Sequence, residues 1–138
     1  MSETSGWSGT PLTAKLGIKA GTRALLAGAP RGWVLPDPPE LATVHTRAAT
    51  GLYDVVVLFC PDHATLVRRF VPLGGRITPA GALWVAWPKR ASGVTTDLTD
   101  NAVREYGLDH GLVDVKVAAV DATWSGLKFV RRLKDRGR

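Results

Sequence analysis

The segment from Tyr53 to Cys60 limits the fold of this chain more than any other. It reads Y-D-V-V-V-L-F-C, and apart from Asp54 it is apolar and rich in β-branched residues. A strand with one face in water alternates apolar and polar residues, whereas this run does not. Continuous apolar runs are typical of parallel strands that are covered on both faces. The segment therefore predicts a central strand of an α/β sheet.

The remaining segments are spaced as alternating strands and helices. Prolines crowd residues 30–40, so the first crossover is expected to be irregular rather than helical. The predicted order is a helix at 10–17, strands at 23–27, 41–46 and 53–60, a helix at 62–73, a turn at 78–81, a strand at 82–87, a helix capped by Asp97 at 97–110, and strands at 113–120 and 126–132. This order predicts a Rossmann-like three-layer α/β fold, with a mostly parallel sheet and an antiparallel C-terminal hairpin strand.

Length and composition bound the organisation of the chain. With 138 residues, of which 45% are hydrophobic, it can bury one core but not two. We expect a flexible N-terminus at residues 1–10, one α/β domain at 11–133 and a basic tail at 134–138. No apolar run is long enough to cross a bilayer, so we expect a cytoplasmic protein without membrane contact.

Charge and reactive side chains narrow the function classes. The net charge is +6, and residues 128–138 hold six basic residues and one acidic residue, which leaves the body nearly neutral. The tail could attract nucleic acid weakly, or serve only as a solvated segment.

Cys60 is the only cysteine and is expected to be a buried thiol. The three histidines lack metal-ligand spacing, so we predict no metal site.

Two motifs resemble the fold of S-adenosylmethionine-dependent methyltransferases. They are Y-D-V-V-V-L-F from Tyr53 and P-x-G-A-L-W-V from Pro79, and the resemblance covers about residues 15–133. The chain is also similar to small actinobacterial proteins of unknown function, through the L-G-I-K-x-G motif of Leu16–Gly21, the W-x-x-x-P-K motif of Trp84–Lys89 and the D-x-x-W-S motif of Asp121–Ser125. Both resemblances imply the fold, and the second brings no established reaction.

The cofactor site that the methyltransferase resemblance implies is incomplete in this sequence. It needs a glycine-rich turn after the first strand and an acidic residue at the end of the second. The turn Gly28–Gly32 contains Pro30, which has no N–H, and the strand ending at Thr46 has no carboxylate. We therefore expect no cofactor and favour a non-catalytic Rossmann-like module that binds a small anion or a protein partner. The alternatives are a divergent S-adenosylmethionine-dependent methyltransferase and, third, a nucleic-acid-binding accessory protein.

Candidate ligand-binding residues follow the strands. Ligands of open α/β sheets bind outside the carboxyl ends of the strands. There Arg31, Lys89 and Arg90 could hold an anion, with Trp87 or Trp124 as an apolar wall. Alternatively, Lys89 and Arg90 are simply exposed after the strand. The predicted ligand site comprises Gly28, Arg31, Trp87, Lys89, Arg90 and Trp124, and we predict no catalytic residue.

Overall fold

The computed structural model describes residues 10–136. The predicted N-terminal segment lies outside the described residues except for Thr10, as do the last two residues of the predicted tail. The elements are α1 (Leu12–Leu16), β1 (Arg23–Ala27), β2 (Thr43–His45), β3 (Tyr53–Phe59), α2 (His63–Gly74), β4 (Ile77–Pro88), α3 (Asp100–Asp109), β5 (Leu112–Ala119) and β6 (Trp124–Arg131), with 3-10 turns at Arg90–Ser92 and Leu133–Asp135.

The strands form one sheet in the order β2-β1-β3-β4-β6-β5. β2, β1, β3 and β4 are parallel, whereas β6 is antiparallel to both β4 and β5. β3 lies between β1 and β4, as the apolar run from Tyr53 predicts. The predicted Rossmann-like fold with an antiparallel hairpin strand is confirmed.

Successive residues of the central strands pack on opposite faces of the sheet. On one face, Val56 and Leu58 join the apolar side chains of α2 and α3. On the other face, Val55 and Val57 join α1 and the loop that follows β1. Helices on one side and a short helix with an ordered loop on the other make three layers.

The crossover from β1 to β2 contains no helix, as its prolines predict. Its residues fold over the sheet and bury Leu35 against the α1 side. β2 is correspondingly short and lies at the edge of the sheet. The first crossover thus covers the sheet with loop rather than with helix.

Two local predictions are wrong. The predicted turn at residues 78–81 lies inside the single strand β4, where the pairing with β3 shifts from Tyr53–Ile77 to Val55–Ala82. The extra residues of β4 form a bulge, which a turn-like sequence allows without ending the strand. Asp97 does not cap α3; Thr99 does, through its hydroxyl oxygen and the N–H of Ala102.

Replacing Val57 by aspartate should destabilise the protein by about 3–5 kcal/mol, because a charge would be buried without a partner. Val57 is fully buried and pairs in register with Leu26 and Trp84. Val115→Asp is the matched control, since Val115 on β5 is 54% exposed. Urea unfolding of both variants measures the difference. Equal stabilities would contradict the burial of β3.

Replacing Gly107 by alanine should lower the melting temperature, although alanine favours a helix by about 1 kcal/mol. A Cβ at position 107 would overlap the ring of Phe129, which is fully buried on β6. The double variant Gly107→Ala, Phe129→Leu should recover part of the loss relative to Phe129→Leu alone. A single Gly107→Ala variant that melts at or above the native temperature would show that α3 does not pack this closely.

Candidate functional site

The parallel strands end together at one edge of the sheet, called here the carboxyl edge. It is formed by residues 28–33 after β1, 60–62 after β3, 89–97 after β4 and the hairpin turn 120–123. Thr96 donates its hydroxyl to the carbonyl of Pro61, at 2.8 Å, and Asp97 accepts the N–H of His63 at 2.8 Å. These bonds join the segment after β4 to the segment after β3.

Gly28 turns the chain sharply where β1 ends. Its φ is +74°, in the left-handed region that favours glycine. A Cβ there would lie 3.3 Å from the carbonyl oxygen of Phe59 and 3.4 Å from Nη1 of Arg69. Within residues 10–136, the N–H groups of Ala29 and Arg31 donate no hydrogen bond. The turn therefore presents open backbone donors at a position where both φ and the close neighbours favour glycine.

Arg69 brings a positive charge to this turn. It belongs to α2, is half-buried, and its guanidinium lies against Gly28. Across the described part of the chain, its guanidinium makes no ion pair or hydrogen bond. A guanidinium that is partly withdrawn from water and lacks a carboxylate is suited to bind an anion.

Three aromatic rings line the α1 side of the carboxyl edge. Phe59 packs edge-on between Trp33 and Trp124, with ring centroids 5.0 Å and 5.2 Å away. The indole N–H of Trp33 donates to Oδ2 of Asp121 at 2.9 Å. Oδ1 of Asp121 accepts the N–H groups of Thr123 and Trp124. The loop after β1 is thereby fixed to the hairpin turn.

The sheet separates two of the predicted ligand-binding residues. Trp87 packs with the α2 and α3 side, whereas Trp124 packs on the α1 side, and both are buried. They cannot form one wall, because Trp124 is paired with Pro88, the residue after Trp87, and successive residues of a strand face opposite sides of the sheet. Trp124 instead anchors the turn, as its indole packs on Phe59.

The three predicted cationic residues lie on the carboxyl edge. Arg31 and Arg90 are exposed, and Lys89 is half-buried with its N–H bound to the carbonyl of Thr123 at 2.8 Å. Arg31 follows β1 and Lys89 follows β4, so β3 lies between them. Two strand spacings separate these chains by about 10 Å, which only an extended ligand would bridge. Joint anion binding by these residues stays a prediction.

β2 ends in a histidine that is already engaged. Nδ1 of His45 lies 2.8 Å from the hydroxyl oxygen of Tyr53, which also accepts the N–H of Ala49 at 2.9 Å. The described residues that follow β2 up to β3 include no carboxylate. The end of β2 is therefore held by a local hydrogen-bond network.

Cys60 and Asp62 follow β3 in different environments. Burial, and secondarily the charge of Asp62, raises the pKa of the Cys60 thiol to about 12. Hydrogen bonds from the hydroxyl and the N–H of Thr65 lower the pKa of Asp62, which caps α2. The thiol is protonated and the carboxylate ionised at neutral pH. The predicted buried thiol is confirmed.

The thiol of Cys60 should react with Ellman's reagent at pH 8 at least about 100-fold more slowly in native protein than in urea. Its raised pKa has a further consequence, because the thiol of the unfolded chain ionises first. Stability from this group is present below its ordinary value of 9.0 and is lost as the pH rises towards about 12. Rapid native labelling would contradict the burial, and Cys60→Ser supplies the unlabelled control.

Sequence reasoning did not assign Arg69 or Trp33 to this edge, and it placed Asp97 at the cap of α3 whereas Asp97 accepts the N–H of His63. Helical spacing predicts that Arg69 points outward, yet its long side chain reaches the turn after β1. Trp33 stands in a proline-rich loop, where periodicity carries no signal. The glycine pair around Pro30 was the one local signal that pointed to this loop.

The fold is shared with solved structures of methyltransferases. The magnesium protoporphyrin IX methyltransferase of Synechocystis with bound S-adenosylmethionine is 14% identical, with 88% of this chain and 74% of that chain covered, at a TM-score of 0.57. The DhpI complex with S-adenosylhomocysteine is 9% identical, with 92% and 83% covered, at 0.61. A TehB-like S-adenosylmethionine-dependent methyltransferase of Corynebacterium glutamicum is 9% identical, with 88% of each chain covered, at 0.58.

No family model and no curated protein sequence matches the chain. The similarity to small actinobacterial proteins therefore stays a prediction. At these low identities the structural likeness shows the fold. The resemblance to the methyltransferase fold, drawn from the motifs at Tyr53 and Pro79, is confirmed at that level.

Two predictions of function are wrong in the light of these structures. A non-catalytic module was the favoured interpretation, yet the structures that share the fold are methyltransferases, which favours the alternative instead. No cofactor was expected, yet two of these structures hold S-adenosylmethionine or S-adenosylhomocysteine. Pro30 and the end of β2 each remove one contact from the cofactor site that the resemblance implies, and the loss of single contacts does not decide whether a fold binds a cofactor.

The part of the chain that the structure describes contains neither a metal-binding cluster nor a membrane-spanning helix. Residues 10–136 contain no cluster of three histidine, cysteine or acidic side chains that could hold a metal ion. Among the same residues, no helix has the length and apolar character that a membrane crossing requires.

Proposed function

We propose that this chain is a divergent S-adenosylmethionine-dependent methyltransferase whose cofactor lies at the carboxyl edge. The observation that carries the proposal is the Gly28 turn with Arg69 beside it. The turn offers backbone donors at the end of β1, where ligands of this kind of sheet bind. The fold shared with methyltransferases supports the same location.

The turn fits the amino-acid end of S-adenosylmethionine. That end carries a carboxylate, which can accept hydrogen bonds from the N–H groups of Ala29 and Arg31. The guanidinium of Arg69 supplies a complementary charge and lacks a competing carboxylate among residues 10–136. Charge-assisted hydrogen bonds of this kind are the stronger ones in proteins. The absence of an N–H at Pro30 removes one donor and leaves the other two.

The other end of the cofactor must be bound differently from what the methyltransferase resemblance implies. His45 ends β2 and is bonded to Tyr53, so no carboxylate of this strand meets the ribose hydroxyls. Trp33 lies on the α1 side of the same edge, is half-buried and offers apolar surface, while the buried rings of Phe59 and Trp124 support it from behind. We infer a weaker cofactor affinity than a ribose-binding carboxylate would give.

S-adenosylmethionine, when bound, supplies an electrophilic methyl group for transfer to a nucleophilic acceptor. The chain's own contribution at this edge is binding and orientation. Asp121 fixes the loop after β1 through Trp33, and Gly28 permits the close approach of the backbone. Asp62, with its lowered pKa, is ionised at neutral pH and its oxygen Oδ1 is occupied by Thr65.

Replacing Arg69 by methionine should weaken S-adenosylhomocysteine binding about 10- to 100-fold, because a charged hydrogen bond is worth about 1.5–3 kcal/mol. Isothermal titration calorimetry measures the dissociation constants. Arg68→Met is the matched control, since Arg68 is the exposed neighbour on α2 and should bind as the native protein does. Methylthioadenosine lacks the amino-acid carboxylate, so Arg69→Met should not change its affinity.

A second pair of variants tests the turn itself. Gly28→Ala and Gly32→Ala impose the same left-handed backbone strain, at φ of +74° and +79°. Only the Gly28 variant places a Cβ against Phe59 and Arg69, whereas nothing lies within 4 Å at Gly32. Gly28→Ala should lower the affinity more. Native protein that binds neither S-adenosylmethionine nor S-adenosylhomocysteine at millimolar concentration would overturn the proposed function.

A further inference from the structure

A cavity opens at the opposite edge of the sheet, where the parallel strands begin. Its volume is about 490 Å³, within the range of small-molecule sites. The connection from α1 to β1, the start of β3, the bulge of β4 and Lys128 of β6 line it. This amino-edge cavity is separated from the carboxyl edge by the length of the strands.

Two lysines from distant parts of the chain line this cavity. Lys19 precedes β1 and is exposed, whereas Lys128 lies on β6 and is half-buried. Neither lysine is in an ion pair within residues 10–136, where the recorded pair joins Arg104 and Asp114. A half-buried ammonium without a counterion favours the binding of an anion.

The third charged group of the cavity is Asp54. One of its oxygens, Oδ2, accepts the N–H of Arg23 at 2.9 Å, which fixes the carboxylate at the start of β3. Its other oxygen can accept a hydrogen bond from a ligand. The cavity thus combines two cationic donors with one anionic acceptor, so a bare anion would satisfy only part of it.

The hydroxyl group of Thr22 and the backbone around Gly81 form a further part of the cavity lining. The hydroxyl oxygen of Thr22 accepts the N–H of Lys19 at 3.1 Å, which leaves its proton to donate. A Cβ on Gly81 would lie 2.7 Å from Oγ1 of Thr78 and 2.8 Å from the carbonyl of Asp54. The β4 bulge therefore forms a floor of backbone that admits no side chain at position 81.

The surroundings of the cavity are basic. Lys116 of β5 pairs in register with Lys128, which brings a second ammonium to the same part of the sheet. β6 ends at this edge, where Arg131 donates to the carbonyl of Ile77 at 2.7 Å. The basic residues that follow leave from the same edge, while the guanidinium groups of Arg131 and Arg132 themselves bond to carbonyls of α2 and α3 on the other face of the sheet. Like charges gathered at one edge raise the local concentration of anions.

We propose that the amino-edge cavity binds a small phosphorylated polyol of the sugar phosphate class. Its phosphate is held by Lys19 and Lys128, and one of its hydroxyls donates to Asp54. A phosphate group can pair with the two lysines that lack a counterion. Only a ligand that also carries a hydrogen-bond donor, such as a hydroxyl group, can bond to the carboxylate of Asp54. This site is independent of the proposed methyltransferase function.

Calorimetric titration with ribose 5-phosphate, inorganic phosphate and ribose tests the site in the full-length protein. Ribose 5-phosphate should bind more tightly than inorganic phosphate, and ribose should bind least. The double variant Lys19→Met, Lys128→Met should weaken ribose 5-phosphate binding at least about tenfold, the equivalent of 1.4 kcal/mol. If the double variant folds poorly, Lys19→Met alone replaces it, because Lys19 lies in an exposed connection. This single variant should show part of the loss in affinity.

Two further variants make the outcome decisive. Arg68→Met removes an exposed cation of α2, which lies outside the cavity lining, and should leave ribose 5-phosphate binding unchanged. Asp54→Asn should raise the affinity for inorganic phosphate, because it removes the repulsion between the carboxylate and the phosphate. It should also reduce the ratio of the affinity for ribose 5-phosphate to that for inorganic phosphate. Binding that survives the folded lysine variants, binding lost in Arg68→Met, or native protein that binds no phosphorylated probe would overturn the proposal.

Discussion

The burial of β3 on both faces is the constraint on which the rest of the structure depends. Every residue from Val55 to Cys60 is buried, and β3 is bonded to β1 on one side and β4 on the other. A strand of this kind must be covered twice, which requires α2 and α3 on one face and α1 with the proline-rich loop on the other. Both edges where ligands could bind arise from this arrangement, because the covered strands begin and end together.

The sequence carries enough information to predict the element order but not the assignment of faces. The run from Tyr53 and the motif at Pro79 identify β3 and β4, and the prolines of residues 30–40 account for the loop in place of a helix. A strand that is apolar throughout does not reveal which residues point to which side. Trp87 and Trp124 could therefore be placed at one edge from the sequence, but their separation by the sheet could not.

The candidate site depends on contacts between residues that are far apart in the chain. The guanidinium of Arg69 lies against Gly28, and Trp33 is bonded to Asp121 across 88 positions. The hydrophobic periodicity of the sequence does not predict such pairs, since each forms only when the helices and loops pack on the sheet. What the sequence did contain was the glycine turn at the end of β1. Pro30 removes one donor from this turn, and the N–H groups of Ala29 and Arg31 on either side of it remain open.

The two oxygens of Asp121 serve different parts of the chain. Oδ1 closes the hairpin turn before β6, while Oδ2 holds the loop after β1 by the indole of Trp33. One carboxylate thus acts as a brace between the first and the last strands of the fold. A displacement of the loop that keeps this bond must pull the hairpin turn with it. The loop after β1 and the start of β6 are therefore positioned together, and moving either one alone must first break the bond between Trp33 and Asp121.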